Sequence, residues 1–398
     1  MKQVRSLLLL LALAIFIFPG CKKDIRDEQS ALSGIRAADM ERGSSAKLSA
    51  AQLEQLQKIK SSFPEGYEKR MEKSLSLMAD ADPVYRDMVK RALNLVPTEC
   101  SSTPLSDWLD EQLADWTNEL IMYAIVTGML DFPTYDALLF ENSSNNQYFG
   151  LEGQNTQRMT KTFKDLKRFW NINTDNIVLA AMHGSMLRDR EKVIRIDMIL
   201  YGDSRPVAEY WADVIQQLLD IFPQYQNGDH PIFTFNAFAQ RGFSFPPYGQ
   251  IPPKIIMGDG VLQGYEAIGY NDVAPQAVLA HEFGHHIQFQ LNLFGSSPSP
   301  EATRRTELMA DAFAAYYLSH ARGASMQWKR VQQFLYVFFN VGDCSFTSNG
   351  HHGTPLQRMA AANWGYSIAN DAQKQGHILT AQQFTALFEA KLPELVAP

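Results

Sequence analysis

Apolar residues recur at helical spacing through most of the chain. Leu53, Leu56 and Ile59 fall on one face of a helix, and Trp108, Leu109, Leu113, Trp116 and Leu120 form a second stripe best read as packed core. Between them Thr103-Pro104 and Asp131-Phe132-Pro133 punctuate the pattern. A polar stretch at 141–156 reads as a loop and a domain boundary. Residues 157–222 again read as mostly helical, with Trp211, Ile215 and Leu218 in register. The aromatic-rich run Pro231 to Phe238 reads as a strand, and Lys254-Ile255-Ile256-Met257 as a second. Pro252 and Pro253 before the second suit an edge strand. After 274 the pattern is helical nearly to the end, broken at 295–302 and 342–355. The expected fold class is therefore α+β and mostly helical, with a small sheet and a helical N-terminal region over 48–150 ahead of a domain at 151–398.

The start of the chain follows a different rule. Lys2 and Arg5 precede an apolar run from Leu7 to Phe18. That run is far shorter than the roughly 20 residues a spanning helix needs, and it reads as a secretory signal over 1–20. Gly20-Cys21 follows, and the segment resembles a bacterial lipoprotein signal, although Phe18 and Pro19 stand where an aliphatic and a small residue are usual. The resemblance implies an exported protein, lipid-anchored to a membrane through Cys21, with residues 21–47 as a flexible tether.

Composition narrows the function. Of 398 residues, 45% are hydrophobic and 20% charged, enough apolar material for a core without staples. Lys plus Arg total 36 against 43 Asp plus Glu, a net charge of −7 with no basic block, so no nucleic acid is expected as a partner. Three cysteines are too few for a disulfide scaffold. With Cys21 lipidated, Cys100 and Cys344 remain as a possible pair in an oxidising compartment.

Three stretches carry chemistry. His281-Glu282-Phe283-Gly284-His285 sits in a helical setting, with Asp272 as a possible cap. Positions i and i+4 of a helix share a face, so both imidazoles reach one metal ion, and Glu282 beside them can take a proton from metal-bound water. A catalytic zinc site wants a third protein ligand and an open position. Glu307 offers that ligand from the helix marked by Leu308, Ala312, Ala315 and Leu318, and Asp311, one turn on, can accept the spare N–H of a ligand histidine. An ordinary pairing of Glu307 with Arg304 is the alternative. Third, the loop 342–358 carries His351-His352-Gly353-Thr354-Pro355. His352 is the candidate donor to an oxyanion, and Arg358 is placed to orient the loop or hold a carboxylate. His183, His230, His320 and His377 read as structural or surface residues, and His286 points away from the ligand face.

The segments 281–288, 307–311 and 352–358 resemble, in this order, the bacterial neutral zinc metallopeptidase family, of the gluzincin class. This covers roughly residues 230–370. It implies a zincin-like catalytic domain, with a small sheet whose edge strand lies over the active-site helix. It also implies Zn²⁺ held by His281, His285 and Glu307, with Glu282 as general base in peptide hydrolysis. Substrate would be a peptide or protein, lying as an added strand along 254–258. Two other readings stay open at this point: a lipid-anchored zinc-containing scaffold without turnover, and a zinc amidase acting on cell-wall material.

Overall fold

The computed structural model describes residues 47–79, 102–295, 299–342, 351–371 and 376–397. Cys21, the signal segment and both Cys100 and Cys344 lie outside the described residues. Fourteen α-helices and five short strands make up the described chain, a mostly helical α+β architecture. The N-terminal helices are α1 (Ala50–Ser61), α2 (Tyr67–Ala79), α3 (Pro104–Gln112), α4 (Asn118–Thr127) and α5 (Phe132–Phe140). Then come α6 (Thr156–Phe169), β1 (Val178–Met182), α7 (Arg190–Leu200), α8 (Arg205–Ile221), β2 (Ala237–Gln240), β3 (Phe243–Ser244), β4 (Gln250–Ile251) and β5 (Lys254–Gly258). The remainder is α9 (Asp259–Ala267), α10 (Ala274–Gln290), α11 (Pro300–Ser319), α12 (Trp328–Asn340), α13 (Pro355–Asn370) and α14 (Ala381–Leu395).

Helix starts follow capping chemistry. Ser49, Thr103, Thr354 and Thr380 each accept from the N3 amide, whose own side chain bonds back to the cap. The stripe from Trp108 to Leu120 belongs to two helices rather than one: α3 ends at Gln112 and Thr117 caps α4. Asp272 does not cap α10. Its carboxylate pairs with Arg158 at 3.0 Å, and Val273 takes the cap position without a side-chain bond.

The sheet departs most from expectation. Its order is β1-β5-β2, with β1 parallel and β2 antiparallel to β5. Lys254–Gly258 is therefore the central strand and not an edge. Pro252 and Pro253 stop just short of the ladder, where only a carbonyl is needed: Pro253 O accepts from Val178 N at 2.9 Å. Strand β1, buried on both faces, lacks the alternation that marks a half-exposed strand, so it is hidden within a region that otherwise reads as helix. Pro231–Phe233 is a 3-10 turn rather than strand, because His230 Nδ1 accepts from Ile232 N and Pro231 fixes its first position. The strand begins at Ala237, and the aromatic residues Phe233 and Phe235 ahead of it are buried core.

One hydrophobic cluster runs from Leu56 to Leu395, through helices on both sides of the 141–155 loop. Arg70 of α2 ties the N-terminal helices in. It donates to Val126 O and Thr127 O, pairs with Asp197 and Asp203, and lies 3.7 Å from the Tyr201 ring centre.

Lys254 is fully buried, and its Nζ donates to Ala137 O and Leu138 O at the end of α5. Burial pulls its pKa down from 10.5 to about 7, against the opposing pull of Glu141 and Asp136. Between those values the unfolded chain carries a proton there that the folded chain does not, so this residue makes stability rise with pH from about 7 toward 10. Denaturant unfolding across that range should show a rise in wild type that is missing from Lys254→Met. Parallel pH profiles for the two proteins would refute the neutral buried amine.

Candidate metal centre

The centre is assembled where α10 crosses α11. Helix α10 is buried on nearly every side, and from Thr306 to Leu318 α11 is too, broader than a single apolar stripe. Their closeness depends on Gly284. A Cβ there would stand 3.1 Å from Ala310 Cα and 3.3 Å from Ala310 O, so only hydrogen fits comfortably. The contact sets His281 and His285, which flank Gly284 on α10, against Glu307 and Asp311, which flank Ala310 on α11.

The two imidazoles converge, with Nε2 atoms 3.1 Å apart. Glu307 closes the third corner: Oε2 is 3.3 Å from His281 Nε2 and Oε1 is 3.4 Å from His285 Nε2. Outer partners fix both tautomers. His281 Nδ1 lies 2.9 Å from Asp311 Oδ1, an acceptor only, so Nδ1 carries the hydrogen. His285 Nδ1 lies 2.9 Å from Gln288 Oε1, while Gln288 Nε2 donates to Thr306 O at 2.6 Å. With both rings neutral, as metal ligation requires, each Nε2 would present a lone pair to the same point. Two ring nitrogens and a carboxylate so disposed form a donor set that could hold a metal ion.

Charge around the centre is balanced by Arg358. It is buried, donates to both oxygens of Asp311, and reaches Glu307 at 3.5 Å. Burial disfavours charge on His281, but the hydrogen-bonded carboxylates of Asp311 and Glu307 outweigh it and hold its pKa up near 10. Burial lowers His285. For Glu307 burial acts upward, yet interaction with the neighbouring His285 and His352 and a hydrogen bond with His281 hold it well below the usual carboxylate range.

All the predicted residues meet here. Glu282 and His352 line the same cleft as the three candidate ligands, and Asp311 and Arg358 form its support. Gly353, at φ +98°, turns the chain between His352 and the Thr354 cap of α13, a left-handed step that suits glycine. His286 points the other way: its Nε2 donates to Lys254 O at 2.8 Å, pinning α10 to the central strand, and burial lowers its pKa to about 4. Of the remaining histidines, His230 and His320 are buried in the core and His183 pairs with Asp259 at 2.7 Å.

The sequence reading missed three contributors. Gln288, which orients His285, stands three residues after it on the same helix, a spacing that could have exposed it. The strand along the cleft is β2, since Asn236 through Gln240 line it. Leu105 of α3 also lines the cleft, which encloses about 480 Å³. That helix is anchored from across the cleft: Asn340 Oδ1 accepts from Leu105 N at 3.2 Å.

No protein-family model, curated protein or solved structure matches the chain.

Gly284→Val forces α10 away from Ala310. It should cost about 1–3 kcal/mol in unfolding free energy, the usual range for an overpacked core. It should also weaken divalent-metal binding, while Gly284→Ala does so less. Zinc titration alongside denaturant unfolding tests this, and a valine variant that binds metal as wild type would show that the close contact does not position the ligands.

Proposed function

We propose that the protein is a zinc-dependent peptidase with a zincin-like catalytic arrangement. The observation that carries the reading is the convergence of His281 Nε2, His285 Nε2 and Glu307 on one point, with Glu282 on the same cleft wall but outside the ligand set. Two nitrogens and one carboxylate suit zinc better than the oxygen-seeking calcium or magnesium ions. Bound there, zinc would supply Lewis acidity, polarising a substrate carbonyl and lowering the pKa of water.

The chain's own groups do the rest. Glu282 takes the proton of the attacking water and hands it to the leaving amine. His352 donates to the oxyanion that develops on the carbonyl. Asp311, Gln288 and Arg358 hold the imidazoles and the carboxylate in place. Substrate does not add to residues 254–258, because β5 is paired on both sides. It adds to β2 instead, the edge strand that borders the cleft. Phe235, Val261, Tyr265, Val337 and Phe338 contribute an apolar lining to that cleft, suited to a large apolar side chain of the substrate.

The charged start, the short apolar run and Cys21 support a reading in which this activity works outside the cytoplasm, on a lipid tether. Among the described residues no helix is long and apolar enough to cross a membrane. Labelled palmitate should enter the wild-type chain in a bacterial host and be absent from Cys21→Ser. Equal labelling of the two would remove the tether.

Glu282→Gln should keep its zinc and lose at least about 100-fold in peptide hydrolysis, the usual contribution of a general base. Glu307→Ala should lose zinc. Metal content by mass spectrometry and cleavage of a peptide library, with and without chelator, measure both. Full activity in Glu282→Gln, or hydrolysis indifferent to chelator, would end the peptidase reading.

A further inference from the structure

We propose that Arg241 binds a carboxylate of the substrate within reach of the metal centre, so that the site selects peptides carrying an acidic side chain or a free chain end close to the cleaved bond. The proposal rests on the peptidase reading and adds a substrate class to it.

Arg241 directly follows β2 and lines the cleft together with the ligands. Its guanidinium carbon lies 4.6 Å from the ring centre of Phe289 and 5.8 Å from that of Phe294. These two rings stack at 5.0 Å, and Phe294 is 6.2 Å from the His285 ring. A single phenylalanine therefore stands between this cation and a metal-binding imidazole. Phe338, also on the cleft lining, lies 6.3 Å from the His281 ring.

Two arginines line the cleft, Arg241 and Arg358, and they differ in their partners. Arg158, Arg190, Arg195 and Arg205 each hold a carboxylate, and Arg358, the other arginine on the cleft, is committed to Asp311 and Glu307. Carboxylates outnumber cations in the sequence, 43 to 36. Yet no described carboxylate is placed in an ion pair with Arg241, whose side chain stays open to solvent where it borders the cleft. Ring faces attract a guanidinium without satisfying its N–H groups. They hold the side chain in the cleft and leave its planar donors for a ligand of matching shape. A carboxylate is that ligand, because it accepts two parallel N–H bonds from a guanidinium. Substrate paired along Ala237–Gln240 would run toward Arg241, bringing nearby residues past it.

The test uses the full zinc-loaded chain carrying Glu282→Gln, so that peptides bind without being cut. Fluorescent decapeptides with glutamate or its neutral isostere glutamine at each position, each with a free or an amidated C-terminus, are titrated by anisotropy. A peptide with a correctly placed carboxylate should bind roughly 10 to 100 times tighter than its neutral twin, the range for a charge-assisted pair. That advantage should collapse when Arg241→Gln is added and partly return with Arg241→Lys. Zinc content of each variant checks that the centre is intact. An advantage confined to free C-termini identifies the chain end as the source, and one confined to glutamate peptides identifies the side chain. Equal binding of acidic and neutral twins, an advantage that survives Arg241→Gln, or no binding at all would each overturn the proposal. The same peptides offered to wild type read the hydrolase separately. If they bind through Arg241 but are never cleaved, the peptidase reading falls and carboxylate recognition stands.

Discussion

Two helices approach closely at one point, Gly284 on Ala310, and the candidate metal centre lies on either side of that contact. Residues on either side of the glycine and of the alanine are carried into register, so the imidazoles of one helix meet the carboxylates of the other without a loop intervening. Sites built on rigid elements keep their geometry better than sites on loops. The cost is electrostatic. Two carboxylates, Asp311 buried and Glu307 partly so, face two imidazoles, and Arg358, from a third helix, bonds Asp311 and approaches Glu307. Helix α13 presents small residues, Ala361, Ala362 and Gly365, where it is buried, and this allows the arginine to approach.

The same constraint reaches the sheet. His286 follows a candidate ligand by one residue, and its bond to Lys254 O ties the ligand helix to the central strand. Lys254 in turn bonds the end of α5 through its side chain. A path of hydrogen bonds therefore joins α5, the sheet and α10. Neutral groups suit such a path, since burial disfavours charge on both His286 and Lys254.

How far the sequence disclosed this differs from element to element. Residues whose chemistry depends on spacing along one helix were legible: His281 with His285, and Glu307 with Asp311. The caps were not: Asp272, the one named from the sequence, pairs with Arg158 instead. The strands were not. The run from Pro231 to Phe238 is rich in aromatic residues, of which Phe233 and Phe235 are buried core, and aromatic content is shared by core turns and strands. Strand β1 is covered on both faces and so lacks a period of two. Strand order depends on pairings far apart in sequence, which is why Lys254–Gly258 read as an edge. Arg241 was invisible for a related reason: its meaning lies in which carboxylates it does not meet, and only the fold reveals that.

The position of Leu105 bears on how the chain can be cut down. Helix α3 belongs to the first third of the sequence, yet it forms part of the cleft's wall and is clasped by Asn340. It is masonry and not a shutter. Trimming the chain back to the 151–398 segment would breach one side of the chamber and wet the hydrophobic surface behind it, so the smallest working unit includes α3, and maturation by clipping off the front half is a poor fit to this design.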